Sequence, residues 1–378
     1  MHSKKLHLIE PTLTKLSGHE YGYIANLVSA NNNFAFDMHI WLGKKADWQN
    51  IINKLLNINN KSITIHNFFI RSFRQLQKVF LYYKLLKNNQ VIYVCTSGLF
   101  DLVLCDLLCK LFNFDRKTAF FHFHQFTKTA KKINKLNKFS LQAKHDFKIL
   151  TTTNNLANIF INSNFIKVKT INYPGILYAN ITNNLEEFSY HFSKILYAGV
   201  ARTDKGFSLV VDTIEDMQAK QMHLPFAVQA APPISNRYDN NILLSLEKLQ
   251  KIADLNSNII MYKSALNTEQ YQKLFQGAIC LLLYDQNTFV YRISGVSFDA
   301  IYHGAPIITV GNTSMGDVIK HFDAGIVLKE LNINNIIEAI LAIKKQYEYY
   351  HNNAKQTAKY LINIHDPKHT LQVIYDYL

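Results

Sequence analysis

The sequence predicts an α/β protein built from two successive domains, each a parallel β-sheet covered by helices. Short apolar segments typical of buried strands alternate with helical patterns along the whole chain, as they do in α/β layers. A polar stretch, Asn180–Ser193, interrupts the alternation, which then starts again. At 378 residues the chain is too long for one ordinary domain and suits two of ~150–190 residues.

The first half contains seven apolar segments with the length of buried strands. The predicted strands are Leu6–Glu10, Phe34–Trp41, Ile63–Phe69, Val91–Thr96, Ala119–His124, Lys148–Thr152 and Val168–Tyr173. Helical patterns lie between them, for example at Arg71–Leu86 and Leu99–Leu111. This order predicts one parallel sheet with crossover helices.

The second half repeats the pattern after the polar stretch. Its predicted strands are Ile195–Gly199, Phe226–Ala230, Ile259–Tyr262, Ala278–Tyr284, Pro306–Val310 and Gly325–Leu328. Long helical patterns follow at Asn332–Tyr350 and Thr357–Ile364, and Pro367 precedes a last short helix. We therefore predict domains over residues 1–185 and 194–355, with a cleft between them and ligands at the carboxyl ends of the strands.

Composition excludes several classes of protein. The hydrophobic content of 48% with 18% charged residues is that of a globular chain. Four cysteines show no metal or redox spacing, which predicts buried free thiols. The first ten residues lack the apolar region of a signal peptide, and no run of ~18 apolar residues exists. These features predict a cytoplasmic protein.

The net charge of +14 lies entirely within residues 1–190. Its densest part, Thr127–Lys148, contains seven lysines on a predicted helix with one apolar stripe. Such a helix suits an anionic membrane surface, nucleic acid, or a solvated position on its own domain. Because arginine is scarce there, nucleic acid is the least favoured partner. The lysines predicted to form a membrane or acceptor surface are Lys128, Lys131, Lys132, Lys135 and Lys138.

Residues 278–311 predict a strand, a polar loop, a short helix and another strand. Ser294 is placed to cap a helix over Gly295–His303, and a helix N-terminus accepts phosphate. Tyr291 and Arg292 flank that N-terminus, and Asp299 lies one turn inside the helix. The arrangement suits a nucleotide diphosphate and its ribose, although an ordinary βαβ crossover has the same pattern.

A second candidate anion site follows the strand at Ile195–Gly199. Arg202 and Lys205 lie three residues apart in a loop that leads through Gly206 into a helix. Two cations at the carboxyl end of a strand can neutralise a leaving diphosphate, a role otherwise taken by a metal ion. The alternative is a basic turn that caps a helix. No Asp-x-Asp motif suited to Mg²⁺ is visible, so we expect no metal or other cofactor.

Two features of the first half fit the same kind of site. Gly18 follows the first strand and opens a helix, where a small residue permits close approach of a ligand. In the strand Ala119–His124, alternation places His122 and His124 on one face near the carboxyl end. The alternatives are a plain helix start for Gly18, and zinc ligands or core histidines for the pair.

These residues carry a resemblance to group 1 glycosyltransferases, the glycogen-synthase-like retaining enzymes of the GT-B fold. The resemblance rests on Gly199, Arg202, Lys205–Gly206–Phe207, Tyr271, Ala278, Asp299–Ala300 and Gly304–Ala305–Pro306–Ile307–Ile308. It implies two Rossmann-like domains facing a central cleft, with the acceptor bound by the first and the nucleotide-sugar by the second. It further implies C-terminal helices over 356–378 that cross back to the first domain.

The resemblance also implies residue roles. Arg202 and Lys205 grip the donor diphosphate, Asp299 holds the ribose, and the loop of Gly18 borders the donor. The predicted donor-binding residues are Gly18, Arg202, Lys205, Tyr291, Arg292, Ser294, Gly295 and Asp299, and the predicted catalytic residues are His122, His124, Arg202 and Lys205.

The sequence departs from the family at two points. The family places two glutamates eight positions apart where this chain has Tyr291 and Asp299. Its arginine commonly follows the glycine directly, whereas Arg202 comes three residues after Gly199. The segment Tyr291–Gly295 is similar to that of bacterial polysaccharide enzymes.

The resemblance predicts a retaining, metal-independent transferase. It moves a sugar from a UDP- or GDP-sugar to a glycan or lipid-linked glycan acceptor in cell-surface polysaccharide (capsule or lipopolysaccharide) biosynthesis. A peripheral position on the inner face of the cytoplasmic membrane fits such an acceptor. A nucleotide-sugar epimerase, a phosphorylase and a non-catalytic scaffold are the alternatives.

Overall fold

A computed structural model gives the fold of most of the chain. The structure describes residues 4–14, 16, 19–44, 48–58, 63–115, 118–126, 128–143, 147–171, 173, 191–231, 239–264 and 266–378. It divides into two compact units, which we call unit 1 (Met1–Tyr178 and Ile364–Leu378) and unit 2 (Ala179–Asn363). The polar stretch predicted as a linker lies outside the described residues except for its last three positions.

Unit 1 is built on a seven-stranded parallel sheet of order β3-β2-β1-β4-β5-β6-β7. Its strands are β1 (Lys5–Glu10), β2 (Asp37–Gly43), β3 (Ile63–Phe69), β4 (Val91–Val94), β5 (Ala119–Phe123), β6 (Lys148–Thr151) and β7 (Val168–Thr170). The helices between them are α1 (His19–Ala30), α2 (Trp48–Ile58), α3 (Arg74–Lys87), α4 (Leu99–Phe112), α5 (Ala130–Ala143) and α6 (Asn154–Ile161). Its main core joins β1 residues such as Leu6 and Leu8 to Ile24 of α1 and Leu55 of α2.

Unit 2 is built on a six-stranded parallel sheet of order β10-β9-β8-β11-β12-β13. Its strands are β8 (Lys194–Tyr197), β9 (Phe226–Gln229), β10 (Ile259–Tyr262), β11 (Ala278–Leu282), β12 (Ile307–Val310) and β13 (Gly325–Leu328). Its helices are α7 (Phe207–Ala219), α8 (Asn240–Leu255), α9 (Thr268–Phe275), α10 (Gln286–Phe289), α11 (Gly295–Tyr302), α12 (Ser314–Phe322), α13 (Ile333–Lys345) and α14 (Tyr347–Ile364). The last helix of the chain, α15 (Pro367–Asp376), belongs to unit 1, where it packs on α1.

The strands form where the apolar segments predicted them, with small differences at the ends. β2 begins at Asp37 instead of Phe34, because Phe34 ends a short 3₁₀ turn and Ala35 has a φ of +54°. The helix predicted over Asn332–Tyr350 is two helices, because α13 ends at Lys345 and the next residue, Gln346, has a ψ of 38°, which is not helical. Unit 2 extends to Asn363, within α14, and the predicted domain bounds remain predictions.

Two predictions about the whole chain are tested by these elements. All four cysteines are free and buried, as their spacing predicted. Within the described ranges, no helix combines the length and the apolar character needed to span a bilayer.

Candidate functional site

The candidate site lies where β8 and β11 of unit 2 end side by side. After β8 the chain builds the sheet towards β10, and after β11 it builds towards β13, so the two loops diverge at this point. Such a reversal of strand order opens a crevice at the carboxyl ends of the strands, which is the usual ligand site of open parallel sheets. The two segments that the sequence selected, after Ile195–Gly199 and after Ala278–Tyr284, are these two loops.

The loop after β8 is held against β11 by close backbone packing. Gly206 has a φ of +70°, and a Cβ atom there would lie 2.1 Å from the carbonyl oxygen of Leu283. The amide of Asp285 donates to the carbonyl oxygen of Asp204 at 3.0 Å, which ties the two loops together. Only glycine permits both this backbone conformation and this distance, so Gly206 sets the position of the cations that precede it.

One carboxylate connects the two segments electrostatically. Asp204 forms an ion pair with Arg202 of its own loop, and its Oδ2 also lies 3.4 Å from Nη1 of Arg292 in the loop after β11. Arg202 and Arg292, which are 90 positions apart in the sequence, therefore meet at one anionic group. The carboxylate of Asp204 thus contacts both arginines where the sequence predicted an anion site.

Lys205 is the third cation at this edge. Its Nζ lies 5.7 Å from the ring centroid of Tyr284. A Cβ atom on Gly199 would lie 3.3 Å from the same Nζ. Burial, followed by the positive charge of Arg202, lowers the pKa of Lys205 to about 8. Among the described residues, no carboxylate is within ion-pair distance of Lys205. A half-buried ammonium group that no carboxylate contacts directly favours the binding of an anion.

The loop after β11 is ordered by hydroxyl groups. The hydroxyl of Ser294 bonds that of Tyr284 at 2.8 Å, and the carbonyl oxygen of Arg292 accepts from Oγ of Ser314 at 3.2 Å. Ser294 is at the N-cap position of α11, as predicted, but its side chain does not cap the helix because Tyr284 takes its hydroxyl. Tyr291 is half-buried in the turn before this helix.

Asp299 lies in α11, one turn after the helix N-terminus. Its Oδ2 accepts a hydrogen bond of 2.9 Å from the hydroxyl of Tyr271 on α9. Burial raises the pKa of Asp299 to about 6, against the opposing effect of the Tyr271 bond. A desolvated carboxylate with one neutral donor has acceptor capacity left for a ligand hydroxyl group.

In unit 1 the structure separates the two predicted histidines. His122 is 0% exposed, its Nδ1 lies 2.7 Å from the hydroxyls of both Tyr23 and Tyr93, and burial lowers its pKa well below the usual value. This is the environment of a core histidine, and it disfavours direct contact between His122 and a substrate. His124 is half-buried past the end of β5, and its Nε2 donates to the carbonyl oxygen of Cys95 at 2.5 Å. The two rings share one face, 4.4 Å apart, as strand alternation predicted.

The remaining predicted residues fall outside this cluster. Gly18 lies outside the described residues, so its predicted role remains a prediction. All five lysines predicted as a surface are exposed, Lys128 just before α5 and the others on it.

Sequence reasoning missed Asp204 and Glu10, and it named Tyr271 only as part of the family resemblance, without a role in the site. Asp204 stands between the two cations of its loop, a position that signals an internal ion pair. Glu10, at the carboxyl end of β1, is 1% exposed and accepts from Oγ1 of Thr96 at 2.6 Å beside the strand reversal of unit 1. The sequence could have indicated Glu10, because it ends a predicted strand and ligands bind at the carboxyl ends of parallel strands.

Comparison with known proteins gives similarity in structure alone. No protein-family model and no curated protein sequence matches the chain. The crystal structure of HepE from Anabaena in complex with UDP matches with a TM-score of 0.67 and 10% identity, covering 99% of this chain and 100% of that one. A glycosyltransferase from Rickettsia africae matches with a TM-score of 0.68 and 14% identity, covering 100% and 99%. Sucrose-phosphate synthase from Thermosynechococcus elongatus matches with a TM-score of 0.69 and 11% identity, covering 99% and 98%.

These matches extend over the full length of both chains, and the proteins they describe have the GT-B fold. Together with two parallel sheets of seven and six strands, they show that this chain has that fold. Identities of 10–14% carry no residue-level assignment.

Proposed function

We propose that this protein is a glycosyltransferase that takes its sugar from a nucleoside-diphosphate sugar. The observation that carries the proposal is the meeting of Arg202, Lys205 and Arg292 at the strand reversal of unit 2. Three cations at the carboxyl edge of a parallel sheet suit a diphosphate. Structures of HepE with UDP and with UDP-glucose support a nucleotide-sugar as the donor. We propose UDP or GDP as its nucleotide.

The donor would bind across both loops of the site. Its diphosphate would contact Arg202 and Lys205, with Arg292 as the third cation. The start of α11 at Ser294 and Gly295 would lie at the distal phosphate, because helix N-termini attract anions. Asp299 would accept from a ribose hydroxyl, and Tyr291 would contact the sugar or its phosphate.

The chemistry we propose is metal-independent transfer with retention of configuration. As the bond between the anomeric carbon and the diphosphate breaks, negative charge grows on the leaving oxygen, and Lys205 and Arg202 stabilise it. The same phosphate oxygen takes the proton of the attacking acceptor hydroxyl, so that no side chain with a raised pKa has to act as the base.

We assign the acceptor to unit 1 and to a chemical class: a glycan or lipid-linked glycan in cell-surface polysaccharide synthesis. Support comes from the concentration of positive charge in residues 1–190 and from the exposed lysines of α5. His124, at the carboxyl edge of the unit 1 sheet, is placed better than the enclosed His122 to meet a substrate.

A nucleotide panel tests the donor site directly. UDP, GDP, ADP and CMP are compared by thermal shift, where a ligand at a hundred times its Kd adds ~2.7 kcal/mol of stability. In Lys205→Met the stabilisation should largely disappear, and donor turnover should fall by roughly 10²–10³-fold, as when one oxyanion contact is lost. Wild-type binding should also weaken above pH 8, because Lys205, whose pKa is about 8, loses its charge as the pH rises.

Lys194→Met is the matched control. Lys194 lies at the opposite end of β8, is also partly desolvated, and donates to the carbonyl oxygen of Gln276 at 2.8 Å. It should keep nucleotide binding. Near wild-type turnover in Lys205→Met would defeat the assignment. No stabilisation by any nucleotide would favour a non-catalytic scaffold, and nucleotide release without an acceptor would favour an epimerase.

A further inference from the structure

The outer surface of α3, α4 and α5 is a continuous layer on one face of the unit 1 sheet. The connections β3 to β4, β4 to β5 and β5 to β6 all run in the same direction across the sheet. Right-handed crossovers in one direction place their helices on the same face. Neighbouring helices accordingly pack on each other, α3 on α4 and α4 on α5. We call the outward side of these three helices the helical layer.

The helical layer exposes large apolar side chains in regular rows. On α3 and the residue before it they recur at positions 73, 76 and 80, and on α4 at positions 100, 107 and 111, which is one face of each helix. These side chains are Phe73, Leu76, Phe80, Phe100, Leu107, Leu111 and, at the end of α4, Phe112, each between 44% and 66% exposed. The opposite faces supply buried residues such as Leu81 and Leu102. Apolar groups concentrated in this way mark a docking surface.

The same layer exposes no acidic side chain. Helices α3 and α5 contain neither aspartate nor glutamate. The two acids of α4 are buried and paired, Asp101 with Lys78 at 2.7 Å and Asp106 with Lys110 at 2.6 Å. Exposed lysines complete the surface at positions 84 and 87 of α3 and 131, 132, 135 and 138 of α5. The layer is therefore both apolar and basic.

We propose that the helical layer docks on an anionic lipid bilayer, with the aromatic and leucine side chains inserted at the boundary between headgroups and acyl chains. A bilayer interface accepts apolar groups and lysines side by side, and each basic residue near anionic lipid adds ~1 kcal/mol. Nucleic acid would use the lysines but leave the phenylalanines and leucines in water. A second copy of the layer would bring lysine against lysine. The proposal goes beyond the proposed function and does not depend on the donor site.

Vesicle co-sedimentation of the full chain tests the proposal. Vesicles of phosphatidylcholine alone are compared with vesicles of phosphatidylglycerol and phosphatidylcholine in equal parts, at low and high salt. We expect binding to the anionic vesicles only, weakened by salt. Lys131→Gln with Lys135→Gln should reduce partitioning by about thirtyfold, at ~1 kcal/mol for each lysine. Phe80→Ser with Leu111→Ser should reduce it at least tenfold even at low salt.

Matched controls place the same changes on unit 2. Leu244→Ser with Leu255→Ser alters two side chains that are 65% and 90% exposed on α8, and Lys251→Gln with Lys263→Gln alters two exposed lysines. Both control pairs should bind vesicles as the wild type does. Because every altered side chain is exposed, melting curves should be unchanged, and nucleotide binding by unit 2 should be retained in all four variants.

Four outcomes would overturn the proposal. The first is no binding to anionic vesicles. The second is equal loss of binding in layer and control variants, which would indicate a general charge effect. The third is a wild-type dimer in solution that the layer variants convert to a monomer, which would make the layer a self-association interface. Binding of labelled RNA that depends on the lysines alone, with vesicle binding unchanged in all variants, would equally exclude the bilayer assignment.

Discussion

Replacing Asp299 with asparagine should stabilise unit 2 and weaken nucleotide binding at the same time. Burial raises the pKa of this carboxyl from 3.8 to about 6, so its ionised form is destabilised in the folded protein. At ~1.36 kcal/mol for each pKa unit, the ionised carboxylate costs up to about 3 kcal/mol of folding stability. Asparagine keeps an acceptor for the hydroxyl of Tyr271, 2.9 Å away, and removes the charge.

The pH dependence follows from the sign of the shift. Below pH 4 the carboxyl is neutral in both the folded and the unfolded chain, and the variant should match the wild type. As the pH rises from 4 to 6, the unfolded chain loses its proton first, so the wild type loses stability relative to Asp299→Asn. The full difference of up to about 3 kcal/mol is present above pH 6 and corresponds to ~6–12 °C in melting temperature for a unit of this size.

Nucleotide affinity should decrease in Asp299→Asn, although the stability of the variant increases. Loss of a charge-assisted bond to ribose costs ~1.5–3 kcal/mol, or roughly 10–100-fold in Kd. Melting curves from pH 4 to 8 and calorimetric titration with the nucleotide selected by the panel measure both effects, with the exposed Asp317→Asn as the control. Unchanged stability at pH 8, or a loss of stability and affinity together, would refute the reasoning.

Three further predictions concern other contacts. Asp204→Asn should tighten binding of inorganic pyrophosphate by roughly threefold to tenfold, because a carboxylate that competes for two guanidinium groups is removed. Calorimetry measures the change, with Asp212→Asn, a half-buried carboxylate on α7 that pairs with Lys248, as the control. Weaker binding in Asp204→Asn would contradict the prediction. Gly206→Ala should lower the free energy of unfolding. An alanine in the left-handed conformation costs ~1–2 kcal/mol by itself, and the loss should exceed this because the new Cβ would lie 2.1 Å from the carbonyl oxygen of Leu283. A melting temperature within a degree of the wild type would count against this packing. Stability of unit 1 should fall as the pH drops from 6.5 towards 4. Burial and neighbouring histidines lower the pKa of His7 to about 4 in the folded protein. The unfolded chain therefore binds the proton at a higher pH than the folded chain does, which favours unfolding over this range. Urea titrations at several pH values should show a shallower fall in His7→Gln.

The strands and the charged loops could be predicted because their causes are local. A strand that is buried on both faces needs a continuous apolar segment, and all thirteen observed strands overlap segments read from the sequence. Cations directly after such strands lie at the carboxyl edge of a parallel sheet wherever the strands are placed. Arg202, Lys205 and Arg292 could therefore be selected without knowledge of strand order.

The contacts among these residues could not be predicted in the same way. Asp204 and Arg292 are 88 positions apart, and they meet only because β8 pairs with β11 and not with β10. The bond between Tyr271 and Asp299 depends on the packing of α9 against α11. Alternation placed His122 and His124 on one face of β5, but it could not show which ring the tyrosines enclose.

By itself, the sequence determined the elements of this protein, its two-part α/β organisation and the basic character of its first half. These properties depend on the periodicity and sign of neighbouring side chains, which short-range interactions fix. Tertiary structure alone decided which loops share an edge, which carboxylate lies between the arginines, and which apolar side chains on α3 and α4 are exposed on the surface. Those outcomes depend on strand order and on what packs over each face, and both are set by contacts between residues far apart in the chain.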